Sequence, residues 1–361
     1  MIPVVWLAGA SGVGKTTVGW ALQQRLARRG VTAAFVDADQ LRNAAGADAG
    51  EPVFIAAGLR AVEPAFRAGG ATAIVVSGIV DDEAMLRRML PGYTREDVLV
   101  VHLRASGGAL TDRIERRRWN VHLAAESVEY AARFDDRWAD IRLETTGVSI
   151  DDLVAALVEP TERHLRTRPA TPVPFVPSTA IAAPRTTIIT GSGGAGLSTA
   201  GFLAFLQLAG AGEAVGYIDS HQVGFVGLTP RSRELAPLRA VNAAAVAREM
   251  ADLGLPRVLI TADPPTANEL TSRLDGATVI WLDASPATLE SRLRTRADGG
   301  GPPLAGDHRL GLDETELRES LEVAIAESHD IAVRPDGCHL IATDDATADE
   351  VAQRITRVAP R

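Results

Sequence analysis

Cysteine is all but missing from this 361-residue chain: Cys338 stands alone. One thiol cannot close an internal disulfide, and it cannot build a Cys-based zinc site without other residue types. The chain therefore reads as a protein of a reducing compartment, and a cytoplasmic location is expected. Long apolar runs are also missing, since none approaches the ~18 residues that cross a bilayer. The N-terminal MIPVVWLAGASG carries no basic segment and runs straight into glycines, so it reads as a buried strand and not as a signal peptide. Positive charge is not in excess. The formal net charge is -9, which gives no reason to expect a polyanion. Neither nucleic acid nor membrane is expected as a partner.

Lysine is the scarcest basic residue. Of 37 basic side chains, 36 are arginine and one is lysine, Lys15. Heavy Ala, Gly and Arg usage suggests a genome in which arginine drifts into positions that accept either base. The one position that stays lysine is expected to need an ammonium. The count also excludes. No second lysine exists for an N-K-x-D guanine-specificity motif, and none for a V-A-I-K strand, which weakens GTPase and protein-kinase readings.

What is present suggests two domains. The length fits two units of ~100–200 residues, each able to bury a core. Arg168 to Pro184 holds five prolines in seventeen residues without helical or strand period. This marks an extended linker over 166–184, between 1–165 and 185–361. The halves resemble each other. VVWLAGASGVGKTT lies over TTIITGSGGAGLST at an offset of 182, and Asp37 falls on Asp219. At an offset of 179, LRAV recurs at 59–62 and 238–241, and Arg113 meets Arg292. An internal duplication accounts for matches in one order. Apolar runs alternate with amphipathic stretches in both halves. Strands are expected near 2–8, 33–37, 73–77, 98–103 and 140–144, and again near 186–190, 215–219, 257–261, 277–282 and 339–343. In the first half, helices are expected near 15–29, 55–68, 82–90, 106–118 and 149–158. The pattern implies α/β domains, each a parallel sheet flanked by helices.

Gly9-Ala10-Ser11-Gly12-Val13-Gly14-Lys15-Thr16 fits G-x-x-x-x-G-K-[ST] between a strand and a helix. Glycines let the backbone take positive φ and approach phosphate closely. Loop N–H groups and the helix N-terminus offer donors. Lys15 supplies charge at the β/γ-phosphates, and the Thr16 hydroxyl suits Mg²⁺. Gly9, Ser11, Gly12, Val13, Gly14, Lys15, Thr16 and Thr17 are the expected nucleotide contacts.

With this loop the chain resembles the P-loop small-molecule kinases: adenylylsulfate kinase, shikimate kinase, gluconate kinase and chloramphenicol phosphotransferase. The resemblance implies tandem P-loop kinase-like domains that use ATP and Mg²⁺. It assigns Asp37, with Thr16, to Mg²⁺, and Asp39 to the hydroxyl of the acceptor. The alternative for both carboxylates is a strand end and a turn. Arg60 and Glu63 match an R-x-x-E pattern near the acceptor in shikimate-kinase-like enzymes, and Arg42 has the same anion-pairing potential. An exposed helical Arg with an i+3 Glu is an equal alternative for Arg60. Gly78 ends the AIVVSG strand, where a ligand can approach. The family's lid helix implies Arg113 near adenine and Arg117, with Arg118, at the phosphates; solvated helix-end arginines are the alternative. Thr146 sits where the family contacts adenine. No hhhhDE pattern follows the third strand, which argues against motor ATPases. Asp81 and Asp82 are expected to cap a helix.

The second copy keeps its glycines in Gly191-Ser192-Gly193-Gly194-Ala195-Gly196-Leu197-Ser198 but has Leu197 at the lysine position. His221 replaces Asp39 and Asn242 replaces Glu63. An ATP-dependent phosphotransferase is expected in the first half, acting on a small-molecule hydroxyl or acidic oxygen. Lys15, Asp37, Asp39 and Arg117 would be catalytic, and Asp39, Arg42, Arg60 and Gly78 would face the acceptor. The second half is expected to be a pseudokinase-like copy, and two readings of it stay open: a partner in an intramolecular pseudo-dimer, or a sensor that binds a nucleotide or metabolite and biases the lid of the first half. The alternatives are a regulatory ATP-binding module and a nucleotide kinase using Arg42, Arg60 and Arg87.

Overall fold

The structure is a computed structural model that describes residues 2–117, 119–168, 170, 184–228, 233–302 and 304–359. Most of the proline-rich segment, and Arg118, lie outside the described residues. The first half runs β1 (Val4–Ala8), α1 (Lys15–Arg28), β2 (Ala33–Asp37), α2 (Ala38–Leu41), β3 (Ala44–Ala45), α3 (Glu51–Ala68), β4 (Ala73–Ser77), α4 (Glu83–Met89), β5 (Val98–Arg104), α5 (Gly107–Arg116), α6 (Ala124–Arg133), β6 (Ile141–Glu144) and α7 (Ile150–Thr167). The second runs β7 (Arg185–Gly191), α8 (Leu197–Gly210), β8 (Val215–Asp219), β9 (Phe225–Val226), α9 (Ala236–Asp252), β10 (Arg257–Thr261), α10 (Pro264–Thr271), β11 (Thr278–Asp283), α11 (Pro286–Ala297), α12 (Glu314–His329), β12 (His339–Ala342) and α13 (Ala348–Val358).

β1, β2 and β4 are buried on both faces, as a central parallel strand covered by helices on each side must be. One sheet has the order β6-β5-β1-β4-β2-β9 and the other β12-β11-β7-β10-β8-β3. The five long strands of each are parallel. The sequence-based strand positions agree with the observed ones to within a few residues. Helix α7 extends beyond the expected 149–158 and accommodates Pro160 inside it.

The sixth strand of each sheet comes from the other half. β9 pairs antiparallel with β2, placing Phe225 opposite Phe35. β3 pairs antiparallel with β8, placing Ala45 opposite Val215. Reciprocal addition covers one edge of each sheet, that of β2 in the first half and that of β8 in the second. Gly46 permits the close crossing. Its φ is 76°, and a Cβ there would lie 2.7 Å from Ala214 Cα. A continuous apolar core also joins the halves, with Val62 and Phe66 from α3 and Ala243 and Ala247 from α9. The described residues of the two halves thus share strands in both sheets and one apolar core. Among them, no helix is long and apolar enough to cross a membrane.

Candidate active site

The first glycine loop leaves β1 and enters α1. Gly9, Gly12 and Gly14 have φ of 138°, 80° and 105°, a run that side-chain-bearing residues resist. A Cβ on Gly9 would meet the Leu103 carbonyl at 2.5 Å, so the loop packs against β5. The buried Lys15 Nζ donates to the Gly9 and Ala10 carbonyls, each at 2.9 Å. Burial lowers its pKa, opposed by Asp39 and Asp37, while Arg117 adds to the lowering.

Asp37 ends β2 beside this loop. Thr16 Oγ1 donates to Asp37 Oδ2 at 2.7 Å, and the Asp39 N–H donates to Asp37 Oδ1 at 3.0 Å. Burial, then the nearby Asp39 charge, raises Asp37 to about 6. A hydroxyl and a buried carboxylate joined in this way form an all-oxygen pair, the donor type Mg²⁺ prefers. Among the described residues no cluster of three or more His, Cys, Asp or Glu side chains is arranged to hold a metal. Magnesium requires none, because it ordinarily takes one or two protein oxygens with phosphate and water. Ser77, in register with Asp37, has a buried hydroxyl without a hydrogen-bond partner among the described residues.

The other expected residues divide. Arg42 is brought to Asp39, donating to Oδ1 at 2.9 Å, and also reaches Glu51 at 2.8 Å. Arg117 is half-buried; burial and Arg113 lower its pKa. Thr17 is exposed. Arg113 is committed to the scaffold. It donates to the Val13 carbonyl at 3.2 Å, to the Thr145 hydroxyl at 2.9 Å and to the Thr145 carbonyl at 2.8 Å. Thr146 Oγ1 accepts from the Ser106 N–H at 2.9 Å, tying the β5 loop to the β6 loop.

Two expectations need correction. Arg60 does not face the loop; it pairs across the junction of the halves with Glu249 at 2.6 Å. The closeness at Gly78 serves packing, because a Cβ there would strike Ala38 Cβ at 2.8 Å and the Trp6 ring at 3.3 Å. The Gly78 carbonyl accepts from Trp6 Nε1 at 3.3 Å. Arg87 pairs within its own helix with Glu83. Arg42, Arg60 and Arg87 are therefore not gathered into one anion site. Asp82 caps α4 as expected, accepting from the Met85 N–H at 2.6 Å.

The second site repeats the scaffold without the lysine. Gly191, Gly194 and Gly196 have φ of 153°, 90° and 98°. Ser198 Oγ donates to Asp219 Oδ2 at 2.7 Å, and His221 N–H to Asp219 Oδ1 at 3.1 Å. Arg292 reproduces the Arg113 clamp on Ala195 and Thr343. A cavity of about 820 Å³ opens beside this loop. In it Asp263 faces His221 Nε2 and Arg239, each at 3.3 Å. Burial opposes ionisation of Asp263, but His221 and Arg239 outweigh it and hold the carboxyl far below the usual range.

Sequence reasoning missed the Arg113–Thr145 clamp and the His102–Asp136 cluster. The recurrence of Arg113 as Arg292 was the available signal for the clamp. Asp136 accepts from Arg104 and Arg142, and its Oδ2 lies 2.8 Å from His102 Nδ1. His102 stacks on Phe134 with ring centroids 4.3 Å apart. This cluster fastens the segment returning from α6, and no periodic pattern announces it.

The loop, the strand order and the second-strand carboxylate define a P-loop kinase-like fold, present twice. The first half is similar to P-loop small-molecule kinases, and residues 2–51 match the family model for adenylylsulphate kinase. An adenylyl-sulfate kinase from Burkholderia ambifaria is 47% identical over 47 residues, which are 13% of this chain and 26% of that protein. The chain thus spans about a quarter of the length of that curated relative. The solved Mycobacterium tuberculosis APS kinase in complex with AMPPNP and APS is 19% identical, covering 45% of this chain and 98% of its own, with a TM-score of 0.34. Shikimate kinase from Acinetobacter baumannii in complex with shikimate is 19% identical, covering 45% and 94%, with a TM-score of 0.32. A gluconokinase from Sinorhizobium meliloti is 19% identical, covering 46% and 94%, with a TM-score of 0.32.

Proposed function

We propose that the first half is an ATP- and Mg²⁺-dependent phosphotransferase. It acts on a hydroxyl or acidic oxygen of a small molecule, and the second half is a pseudokinase-like partner. The observation that carries this reading is the convergence of the only lysine with the Thr16–Asp37 pair at one glycine loop. The second loop keeps the corresponding pair but has Leu197 in the lysine position.

Phosphoryl transfer depends mainly on positioning and charge neutralisation. The glycine loop offers N–H donors to phosphate oxygens, and Lys15 swings from the loop carbonyls to the β/γ-phosphates. Thr16 and Asp37 would hold the metal, which neutralises phosphate charge when bound. Asp39 orients the attacking oxygen and accepts its proton, with Arg42 fixing the carboxylate. Arg117 supplies charge at the transferring group.

A regulatory nucleotide-binding module with little turnover is the second reading. It is favoured by the diversion of Arg60 to Glu249, away from Asp39. Incubation with γ-labelled ATP, Mg²⁺ and an acceptor panel of adenylylsulfate, shikimate and gluconate separates the two. Transfer of label to an acceptor supports the phosphotransferase. Tight ATP binding with no transfer to these acceptors or to co-purified metabolites supports the regulatory module.

A further inference from the structure

The second glycine loop lacks a lysine, yet it does not stand without an anion. The Gly193 N–H donates to Glu327 Oε2 at 3.1 Å. Gly193 corresponds to Ser11 of the first loop at the 182-residue offset. Among the described residues, no carboxylate accepts from an N–H of the first loop. An anionic oxygen at the mouth of such a loop is what a bound phosphate supplies. Glu327 reaches it from α12, 130 residues beyond Leu197.

The element carrying Glu327 is firmly placed. Leu317 and Ala324 of α12 pack with Leu289 and Leu293 of α11 in a separate apolar cluster. Arg294 pairs with Glu314 across the two helices at 2.7 Å. The segment between them is pinned as well. Arg296 pairs with Asp307 and donates to the Gly300 and Pro302 carbonyls at 2.8 and 2.6 Å. The Gln222 amide exchanges two hydrogen bonds with the Ala305 backbone, at 3.2 and 3.1 Å. Ala305 is buried with Phe225 in an apolar cluster of the first half. A Cβ on Gly306 would touch Phe225 and Trp20 at 2.8 and 3.3 Å. The described residues of the connection from α11 to α12 therefore pack against the first half, meeting Trp20 of the helix that begins at Lys15.

A cation also sits at this loop. A Cβ added to Gly193 would lie 2.6 Å from Arg309 Nη2 and 3.8 Å from Glu327 Oε2. Arg309 thus brings a guanidinium to the loop from the connection between α11 and α12.

We propose that Glu327 occupies the phosphate position of the second glycine loop as a built-in anion, so that the second half excludes nucleotide. The inference rests on the reading that the first half alone takes ATP. The exclusion has two parts: Leu197 withholds the ammonium, and Glu327 takes the Gly193 N–H and repels an incoming triphosphate. Removing Glu327 leaves the loop donors and the Ser198–Asp219 pair available to a nucleotide.

Equilibrium dialysis of the intact chain against MgATP tests this. The wild type is expected to bind one equivalent. Glu327→Ala and the size-matched Glu327→Gln are expected to bind a second, roughly tenfold to a hundredfold more weakly because the ammonium is still absent. Far-UV circular dichroism shows which variants are folded, and the Gln variant keeps the test open should the Ala variant unfold. Two equivalents in the wild type, or a single equivalent in both folded Glu327 variants, overturns the proposal. Lys15→Ala keeps the two readings apart. If it retains the wild-type equivalent, the assignment of ATP to the first half fails, whereas the Glu327 proposal is judged by the change between wild type and the Glu327 variants.

Discussion

Thr16 donates its hydroxyl proton to Asp37 across 2.7 Å, and Ser198 does the same to Asp219 at the same distance. The two halves therefore keep one geometry for the hydroxyl–carboxylate pair while differing in the residue just before the hydroxyl. Lys15 precedes Thr16, and Leu197 precedes Ser198. The account of function turns on that difference, because loss of a preorganised charge at phosphate costs orders of magnitude in rate.

The environment of Asp37 gives a pH prediction. Burial raises its pKa to about 6, above the ordinary 3.8. The folded state then holds a proton more tightly than the unfolded state, so this residue's contribution to stability improves as pH falls from 6 toward 4. Asp37→Asn removes the effect. Urea denaturation in EDTA should show the stability of the Asp37→Asn variant relative to wild type to be greater at pH 8 than at pH 5, by about 1 kcal/mol. Hydrogen bonds lost to the amide are common to both pH values. An unchanged difference would mean that Asp37 is not held in a desolvated site.

Arg113 is predicted to stabilise the fold by fastening the phosphate loop to the β6 loop. Arg113→Ala deletes three hydrogen bonds, and Arg292→Ala deletes the matching three. Each substitution should cost about 2 kcal/mol in chemical denaturation. Arg113→Ala should also weaken MgATP binding by displacing Val13, and Arg292→Ala should leave the first-site affinity unchanged.

Arg60→Ala should be nearly silent. The side chain is 66% exposed, and its pair with Glu249 is of the surface type, worth about 0–1 kcal/mol. Steady-state kinetics should stay within roughly twofold of wild type. A large rise in the acceptor KM would return Arg60 to the acceptor site.

The reciprocal strands make the halves interdependent. Gly46→Ala places a Cβ 2.7 Å from Ala214 Cα in a backbone conformation with φ of 76°. Melting should report a loss of about 2 kcal/mol or more. Because β3 follows Asp39 and Arg42 by only a few residues, phosphotransfer should fall more than MgATP affinity does. A variant as stable as wild type would show that the β3–β8 pairing contributes little.

Much of this architecture could be read from the chain. The long parallel strands are continuous apolar runs, and the glycine loop has a fixed spacing, so both carry local signals. The duplication showed which half had lost its ammonium. Other features left no such trace. β3 and β9 are two residues each, and the pairing exists only because the halves meet. Arg60 and Arg239 share the LRAV motif, yet Arg60 turns outward to Glu249 while Arg239 is buried beside Asp263. Gly224 helps explain the difference: a Cβ there would strike Arg239 Cγ, whereas Arg42 occupies the equivalent position of the first half. Glu327 lies far along the chain from the loop it meets, and nothing in α12 marks it.

The most direct test of the central claim is transfer of the γ-phosphoryl group from labelled ATP to a small-molecule acceptor by the intact protein, with and without Lys15→Ala. Mg²⁺-dependent transfer is expected from the wild type, with a loss of roughly a hundredfold or more in the variant. Transfer that survives Lys15→Ala at the wild-type rate would contradict the claim.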